Sequence, residues 1–394
     1  MKFSVKHPVM LEAVQTVLKV ISKHSLPIPE IGGILIEANE SGRLVTVTGM
    51  DIRTSIQRRL NQCHIEEGGA IVAPTSISEM IGLLAGETVV FETKKNILKI
   101  CSGTVAYEIP CMRSEGFPKM KFPFPQDTIC VKGLNSLIRR TCFTIDLHSS
   151  EAGKEFMQYI KIDCSDGNTQ AQATNGACIA VSRSPHCADG NLEMVLHGKA
   201  VQILNSIVAP KDELFVGISG STAVFMKPDL IFSTLMFRGQ YIEGTKLFQA
   251  VNPIYQATAE AKDFYSLLEY VTAILSINDD PCVNVQIKEN QILAQVQTIS
   301  GISRSSILAM NAVESPEQGF YYQPKLLLNC VRQCTGPVEL LLDERGFMIL
   351  SANQSRYFVG PRGPANIYKK QKPETQKTKS KRKTVKQETK KTAA

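Results

Sequence analysis

Nowhere in these 394 residues do apolar side chains run on for the ~18 positions that a membrane-spanning helix needs. The opening MKFSVKHPVMLEAVQ interrupts its apolar residues with Lys6, His7 and Glu12 before a signal-peptide core can build, so a soluble, unexported chain is expected. The eleven cysteines lack the paired short spacings of a disulfide framework or a zinc site; Cys101, Cys142 and Cys282 sit in apolar runs, as thiols of a reducing compartment do. A phosphate-cradling Gly-x-x-x-x-Gly-Lys loop is missing too, since Gly153-Lys154 and Gly198-Lys199 have no glycine at the required upstream position. Of six histidines, only those in Cys63-His64 and His186-Cys187 adjoin a potential metal ligand, and neither has a partner at helical spacing. Asp279-Asp280 beside Pro281 reads as a solvated turn. GISRSSI holds no nucleophile elbow. No catalytic residue, metal or cofactor is expected, and the chain is not read as an enzyme.

Excess charge is absent from most of the chain. Of the formal +7, the stretch from Lys369 to Ala394 carries eleven Lys or Arg against two Glu, leaving 33 basic and 35 acidic groups in the other 368 residues. The body is near neutral, and an acidic partner would be met by the tail.

What the sequence does have is a long internal repeat. TSISEMIGLLAGETVVFETKKNILKICSGTVAYEIPCM (75–112), KAVQILNSIVAPKDELFVGISGSTAVFMKPDLIFSTLMF (199–237) and KLLLNCVRQCTGPVELLLDERGFMILSANQSRYFV (325–359) share the order amphipathic helix, turn, strand pair. Glu87, Glu213 and Glu339 open the first strand of each, with 126 residues between successive members. A second helix precedes each unit: PVMLEAVQTVLKVIS, GLNSLIRRTCFTI and DFYSLLEYVTAILSI, all with i, i+3, i+4 apolar spacing. Short alternating strands lie between. The expected fold class is α+β: three similar domains, each with two helices on an antiparallel sheet of about eight strands. Boundaries are expected at residues 1–124, 125–249 and 250–366, followed by a basic tail over 367–394. A period this long excludes stacked ~20–50-residue repeats and points to an array of whole domains. One turn in it, Asn175-Gly176 within AQATNGACIAVSR (171–183), is a strong hairpin signal, because both residues tolerate positive φ.

Several stretches resemble the bacterial sliding-clamp family, the processivity (β) subunits of DNA polymerase III. MKFSVKHPVMLEAVQTV resembles that family's first strand and helix, SLPIPEIGGILIEA (25–38) its Leu-Pro-Ile segment, and VTGMDIRTSIQRRL (47–60) its T-G-x-D-L pattern. IVAPTSISEMIGLL resembles its first inner helix, EGFPKM its approach to the second domain, and ATNGACIA its A-T-D-G-H-R-L-A turn. The resemblance implies a head-to-tail homodimer, six domains closing a ring around duplex DNA, with helices lining the hole and a sheet outside. Such a ring holds DNA by topology and tethers the replicative polymerase; a clamp loader is the other implied partner, and the setting is the cytoplasm, at the nucleoid. A mildly basic inner face is required. Lys19, Lys23, Arg139, Arg140, Lys199, Lys325 and Arg332, on or beside the inner helices, are its candidates, with solvated surface charge as the plain alternative.

The resemblance also implies a pocket for partner peptides. Carried over motif by motif, its wall comprises Met157, Thr174, Gly176, Ala177, Cys178, Ile179, Ile242, Lys246, Leu247, Phe358, Val359, Gly360 and Pro361. This chain departs from its relatives in having Ala177-Cys178 where His-Arg is common and Ile242 where a Pro is common, so a smoother, more apolar groove is expected. KKQKPETQKTKSKRKTVKQETKKTAA reads as a disordered extension. Lys381, Arg382 and Lys383 in it are candidate DNA contacts whose effect falls with salt, against a plain solubilising tail or a nuclear-targeting cluster. The competing functional reading is a clamp-fold scaffold or decoy that binds clamp partners without encircling DNA.

Overall fold

The computed structural model describes residues 1–22, 28–118, 125–149, 152–185, 187–276 and 281–363. Within them the repeat is real: successive units hold ten, eight and nine strands. Seven helices accompany these strands: α1 (His7–Leu18), α2 (Ile77–Gly82), α3 (Leu134–Thr141), α4 (Gly198–Ile207), α5 (Gly244–Gln249), α6 (Ala261–Thr272) and α7 (Pro324–Arg332). Pro8 near the start of α1 and Pro324 at the start of α7 stand where a missing backbone N–H costs nothing. From α1, Met10, Ala13, Val14 and Val17 are buried; from α6, Phe264, Leu267, Leu268 and Val271. Each of the Met, Val, Phe and Leu side chains among them contributes about 1.5–3 kcal/mol when fully buried. The helices pair within each unit, α1 with α2, α3 with α4 and α6 with α7, and pack on one face of the sheets. His7 fixes the first pair by donating through Nε2 to the Ile81 carbonyl at 2.7 Å.

Two nine-stranded antiparallel sheets each cross from one unit to the next. At the first joint, Thr54–Leu60 pairs with Leu230–Leu235; at the second, Cys178–Ser184 pairs with Ser355–Val359. The register is the same in both. The seventh residue of the preceding strand, Met50 or Thr174, faces Ser55 or Ile179 across its hairpin. At the joint, Ser55 and Ile179 meet the fourth residue of the incoming strand, Ser233 and Phe358. Counting the same way, the third unit offers Ile302, opposite Gln297, on the edge strand Gly301–Leu308, and the first unit offers Glu108 on the edge strand Val105–Pro110. Both of these strands end their sheets without a partner among the described residues.

Charge locks the first joint. Arg58, its side chain 10% exposed, reaches Glu12 at 3.0 Å and Asp229 at 2.8 Å. At the second joint no such ion pair is found among the described residues: Cys178 and Ala180 enter the third unit's core, Cys178 Sγ lies 3.7 Å from Cys330 Sγ on α7, and Ser182 Oγ lies 2.9 Å from Ser355 Oγ.

Three local expectations need correction. Asn175 does not take positive φ; Gly176 alone does, at 82°. The loop is longer than a two-residue turn, since Thr174 pairs with Ile179, and Asn175 acts through its side chain. Its Oδ1 accepts from the Ala177 and Cys178 amides at 3.1 and 2.8 Å. Two-residue turns with both residues at positive φ do occur, at Asp166-Gly167 (51° and 79°), between the paired Ser165 and Asn168, and at Glu289-Asn290 (51° and 54°), between the paired Lys288 and Gln291. Of the three marker glutamates, Glu213 opens its strand, Glu87 precedes Thr88–Lys94 by one residue, and Glu339 is third in Pro337–Leu342.

Candidate functional site

Pleating at the second joint sorts the expected pocket residues into two sets. Ile179 and Val181 point to the face opposite Cys178 and Ala180, as alternation along a strand requires. With Phe248, Val251 and Ile349 they form a separate buried cluster, and Leu341, Phe347 and Phe358 pack half-exposed against it. Helix α5 lies over this face and inserts Phe248, leaving Leu247 43% exposed beside it. The Phe358 ring stands 5.3 Å from that of Phe347 and 6.1 Å from that of Phe248, giving an aromatic wall.

Cys178 and Val359 therefore cannot contribute side chains to the groove. They pair with one another across the joint, and both are fully buried in the third unit's core, on the far face of the sheet. Strand alternation is the reason: each is one residue out of phase with Ile179 or Phe358.

The remaining expected residues cluster around the turn and α5. Thr174, 1% exposed, donates to the Cys178 carbonyl at 2.8 Å and accepts from the Gly176 amide at 3.1 Å. Gly176 abuts Met157: a Cβ here would sit 2.8 Å from Met157 Cε, in a backbone conformation that already favours glycine. Ala177 is exposed on the rim, and its carbonyl accepts from the Gly360 amide at 2.9 Å, fixing the turn to the strand end that runs into Pro361. Ile242 accepts through its carbonyl from Gln172 Nε2 at 2.9 Å. Lys246 is exposed and pairs with Glu243 at 2.6 Å, which lowers the Glu243 pKa. Tyr241 fastens the approach to α5 by donating to the Tyr159 and Gln172 carbonyls at 3.1 Å each; burial raises its pKa.

Sequence reasoning missed Phe248, Phe347 and two arginines laid over them. Arg356 stands 5.1 Å from the Phe248 ring centre and Arg345 5.0 Å from that of Phe347. The Phe347 loop is wound on Asp343, 2% exposed, whose Oδ1 accepts from the Arg345 and Phe347 amides at 3.0 and 2.8 Å. Its Oδ2 accepts from Arg345 Nη2 at 2.9 Å. The signal available was the D-x-R-G-F spacing of Asp343 to Phe347, an Asx turn that presents an aromatic.

The expected cationic residues fall on the helix layer or at its ends. Lys19 donates through Nζ across the first joint to the Ser206 carbonyl at 2.9 Å. Lys199 and Lys325 are exposed. Arg139 and Arg140 of α3 and Arg332 of α7 line a common cavity at the second joint. Lys23, Lys381, Arg382 and Lys383 lie outside the described residues. Among the described residues no group of three His, Cys, Asp or Glu converges as metal donors, and no helix is long and apolar enough to cross a membrane.

Comparison with known proteins gives consistent results. Residues 1–121 match the family described as DNA polymerase III beta subunit, N-terminal domain. The chain is 24% identical over 357 residues to the beta sliding clamp of Bacillus subtilis, covering 85% of this chain and 91% of that one. Among solved structures it is similar to the Bacillus subtilis DNA polymerase sliding clamp, with a TM-score of 0.84, 20% identity and coverage of 92% of this chain and 99% of the other. The Thermotoga maritima DNA polymerase III beta subunit is likewise similar, with a TM-score of 0.80, 17% identity and coverage of 92% and 100%.

Proposed function

We infer that the chain belongs to the DNA polymerase III beta subunit family and acts as a DNA sliding clamp, encircling duplex DNA and tethering the replicative polymerase to it. The observation that carries this is the repeated joint. Two joints inside the chain use one register, and the strands that would make a third, Val105–Pro110 and Gly301–Leu308, are left as outer edges of sheets in the first and the third unit. A second copy placed head to tail supplies the missing pairing and closes a homodimeric ring. The implied register sets Ile302 against Glu108, Ser303 against Tyr107 and Arg304 against Ala106. The pleat supports it: Tyr107 packs on the first unit's core while Glu108 is exposed, and Ser303 is half-buried while Ile302 is 50% exposed. A one-residue slip would set inward side chains against outward ones. Arg304 and Glu108 become diagonal neighbours of opposite charge.

On this reading the helix layer faces the DNA and offers Lys19, Arg139, Lys199, Lys325 and Arg332 to phosphates without reading bases. The groove walled by Ile179, Phe358, Phe347 and Leu247 takes an apolar peptide anchor from the polymerase or the loader, with Met157, Gly176, Ala177 and Pro361 on its rim. The same reading keeps domain limits near residues 124 and 249, and has residues 367–394 supply a salt-sensitive basic arm in a cytoplasmic, nucleoid-bound protein. Retention on DNA tests the proposal. Loaded protein should stay on a closed circle at high salt and leave once the circle is linearised; equal retention on both forms refutes encirclement.

A further inference from the structure

The groove at the second joint keeps apolar surface in contact with solvent. Leu247 is 43% exposed, and the Phe347 and Phe358 rings are half-exposed beside it. The chain itself leaves from this rim. Gly360, whose amide donates to the Ala177 carbonyl, lies so close to the aromatic wall that a Cβ on it would stand 3.9 Å from Phe347 Cε1. The next residues are still anchored: the Arg362 amide donates to the Tyr321 carbonyl at 2.7 Å, and the Gly363 carbonyl accepts from Cys282 Sγ at 3.3 Å. Whatever follows Gly363 therefore starts beside the groove.

PANIYKK (364–370) comes next. Gly363-Pro364 is a turn signal, which lets the chain reverse. Ile367 and Tyr368 stand alone as a large apolar pair between this turn and the lysine-rich run, and no aromatic residue follows Tyr368. Extended chain covers at most about 3.6 Å per residue, so Ile367 can reach about 14 Å from Gly363, whereas Gly360 lies within about 11 Å of it. The segment is long enough to fold back onto the rim. Its chemistry matches what it would meet there. Ile367 supplies an aliphatic anchor for the surface between Leu247 and Phe358. Tyr368 supplies a ring for Arg345 and Arg356, whose guanidinium groups already lie over aromatic rings. Lys369 and Lys370 then come up to Glu344, which is exposed on the loop that carries Phe347 and makes no ion pair among the described residues.

We propose that residues 364–370 dock in this groove of their own chain, so that the protein carries a tethered competitor for the partner peptide. From the clamp reading this takes only that the groove accepts an apolar peptide. A short tether gives a millimolar effective concentration, so an intrinsic Kd of about 0.1 mM keeps the segment docked roughly nine-tenths of the time. The test uses the full-length chain with Tyr368→p-benzoylphenylalanine, cross-linked by ultraviolet light and digested for mass spectrometry. The label should be joined to peptides carrying Leu247, Phe347 or Phe358. Leu247→Asp, at a position already 43% exposed, should lower that yield severalfold, and Lys99→Gln on a distant strand should leave it unchanged. Repeating the experiment on mixed 15N-labelled and unlabelled protein identifies the donor: cross-links of mixed mass mean that a second copy supplies the segment, and overturn docking within one chain. In a second arm, fluorescein-labelled PANIYKK is titrated by anisotropy into wild type and into Ile367→Asp/Tyr368→Asp. The double variant should bind it about tenfold more tightly, because the tethered competitor is gone. Cross-links confined to other surfaces, no binding by the double variant, or equal affinity in both proteins overturns the proposal. Neither arm contains DNA or a polymerase, so the retention experiment and this one fail independently.

Discussion

Replacing Cys178 by Arg, the residue common in the resembled family, should unfold this protein rather than restore a pocket. Cys178 is fully buried, its sulfur is 3.7 Å from that of Cys330, and the core around it is built from side chains such as Tyr357, Leu327 and Val359. A guanidinium there has no carboxylate in the cluster to meet it. An uncompensated buried charge costs about 3–5 kcal/mol, and forcing the longer side chain into a packed core adds about 1–3 kcal/mol. At roughly 2–4 °C per kcal/mol, the melting temperature should fall by about 8 °C or more. Ala177→His supplies the control: Ala177 is exposed on the rim, so the change should stay within about 0.5 kcal/mol. Thermal unfolding followed by circular dichroism, repeated in urea, reads both. If Cys178→Arg melted within about 1 °C of wild type, its side chain would be reaching solvent. The division of the joint into a core face and a groove face would then be wrong.

Three further outcomes follow from other contacts. Arg304→Glu should weaken the dimer by about 0.2–1 kcal/mol at each closing joint by setting two carboxylates diagonally, and adding Glu108→Arg should recover the loss; analytical ultracentrifugation that shows no recovery refutes the register. Burial pushes the Cys334 thiol up to about 12 from 9.0, so the folded state keeps a proton that the unfolded chain releases near pH 9. The stability this gives is complete below about pH 9 and is lost as pH rises towards 12, so urea midpoints should decline over that range, and less steeply in Cys334→Ala. Asn175→Ala removes the acceptor for two backbone amides and should cost about 1–2 kcal/mol in the same urea assay, whereas a silent change would mean that the turn is held by the Gly176 backbone alone.

The repeat and the helix stripes were legible because they rest on periodicity, which survives in any sequence that must bury one face. Val14 and Val17 on α1, or Leu327 and Val331 on α7, could be placed before any coordinates. The groove was legible only as an address. Carrying over a contiguous motif selected Cys178 and Val359 along with Ile179 and Phe358, although the pleat sends alternate residues to opposite faces. Phe248 was invisible for a different reason: it comes from a short helix after Glu243 with no motif, so its position depends on tertiary contacts. Phe347 had only the local Asx-turn spacing from Asp343 to mark it, and that spacing does not say which face the ring will meet. The uncompensated charge on Arg140 could not be read either. A sequence shows that a residue is basic, but only the packing of α3 against the second joint shows that it is half-buried without a carboxylate.

The repeated joint also fixes where such a ring would come apart. Two joints in each copy, four of the six in a homodimeric ring, are continuous with the chain, so dilution cannot separate their strands. The other two each pair six residues of one copy, Val105–Pro110, with eight of the other, Gly301–Leu308, and are subject to mass action. Opening is thereby confined to these two equivalent seams, and the dwell time on a DNA circle becomes the time until either short edge parts, adjustable by substitutions that leave the four internal joints untouched.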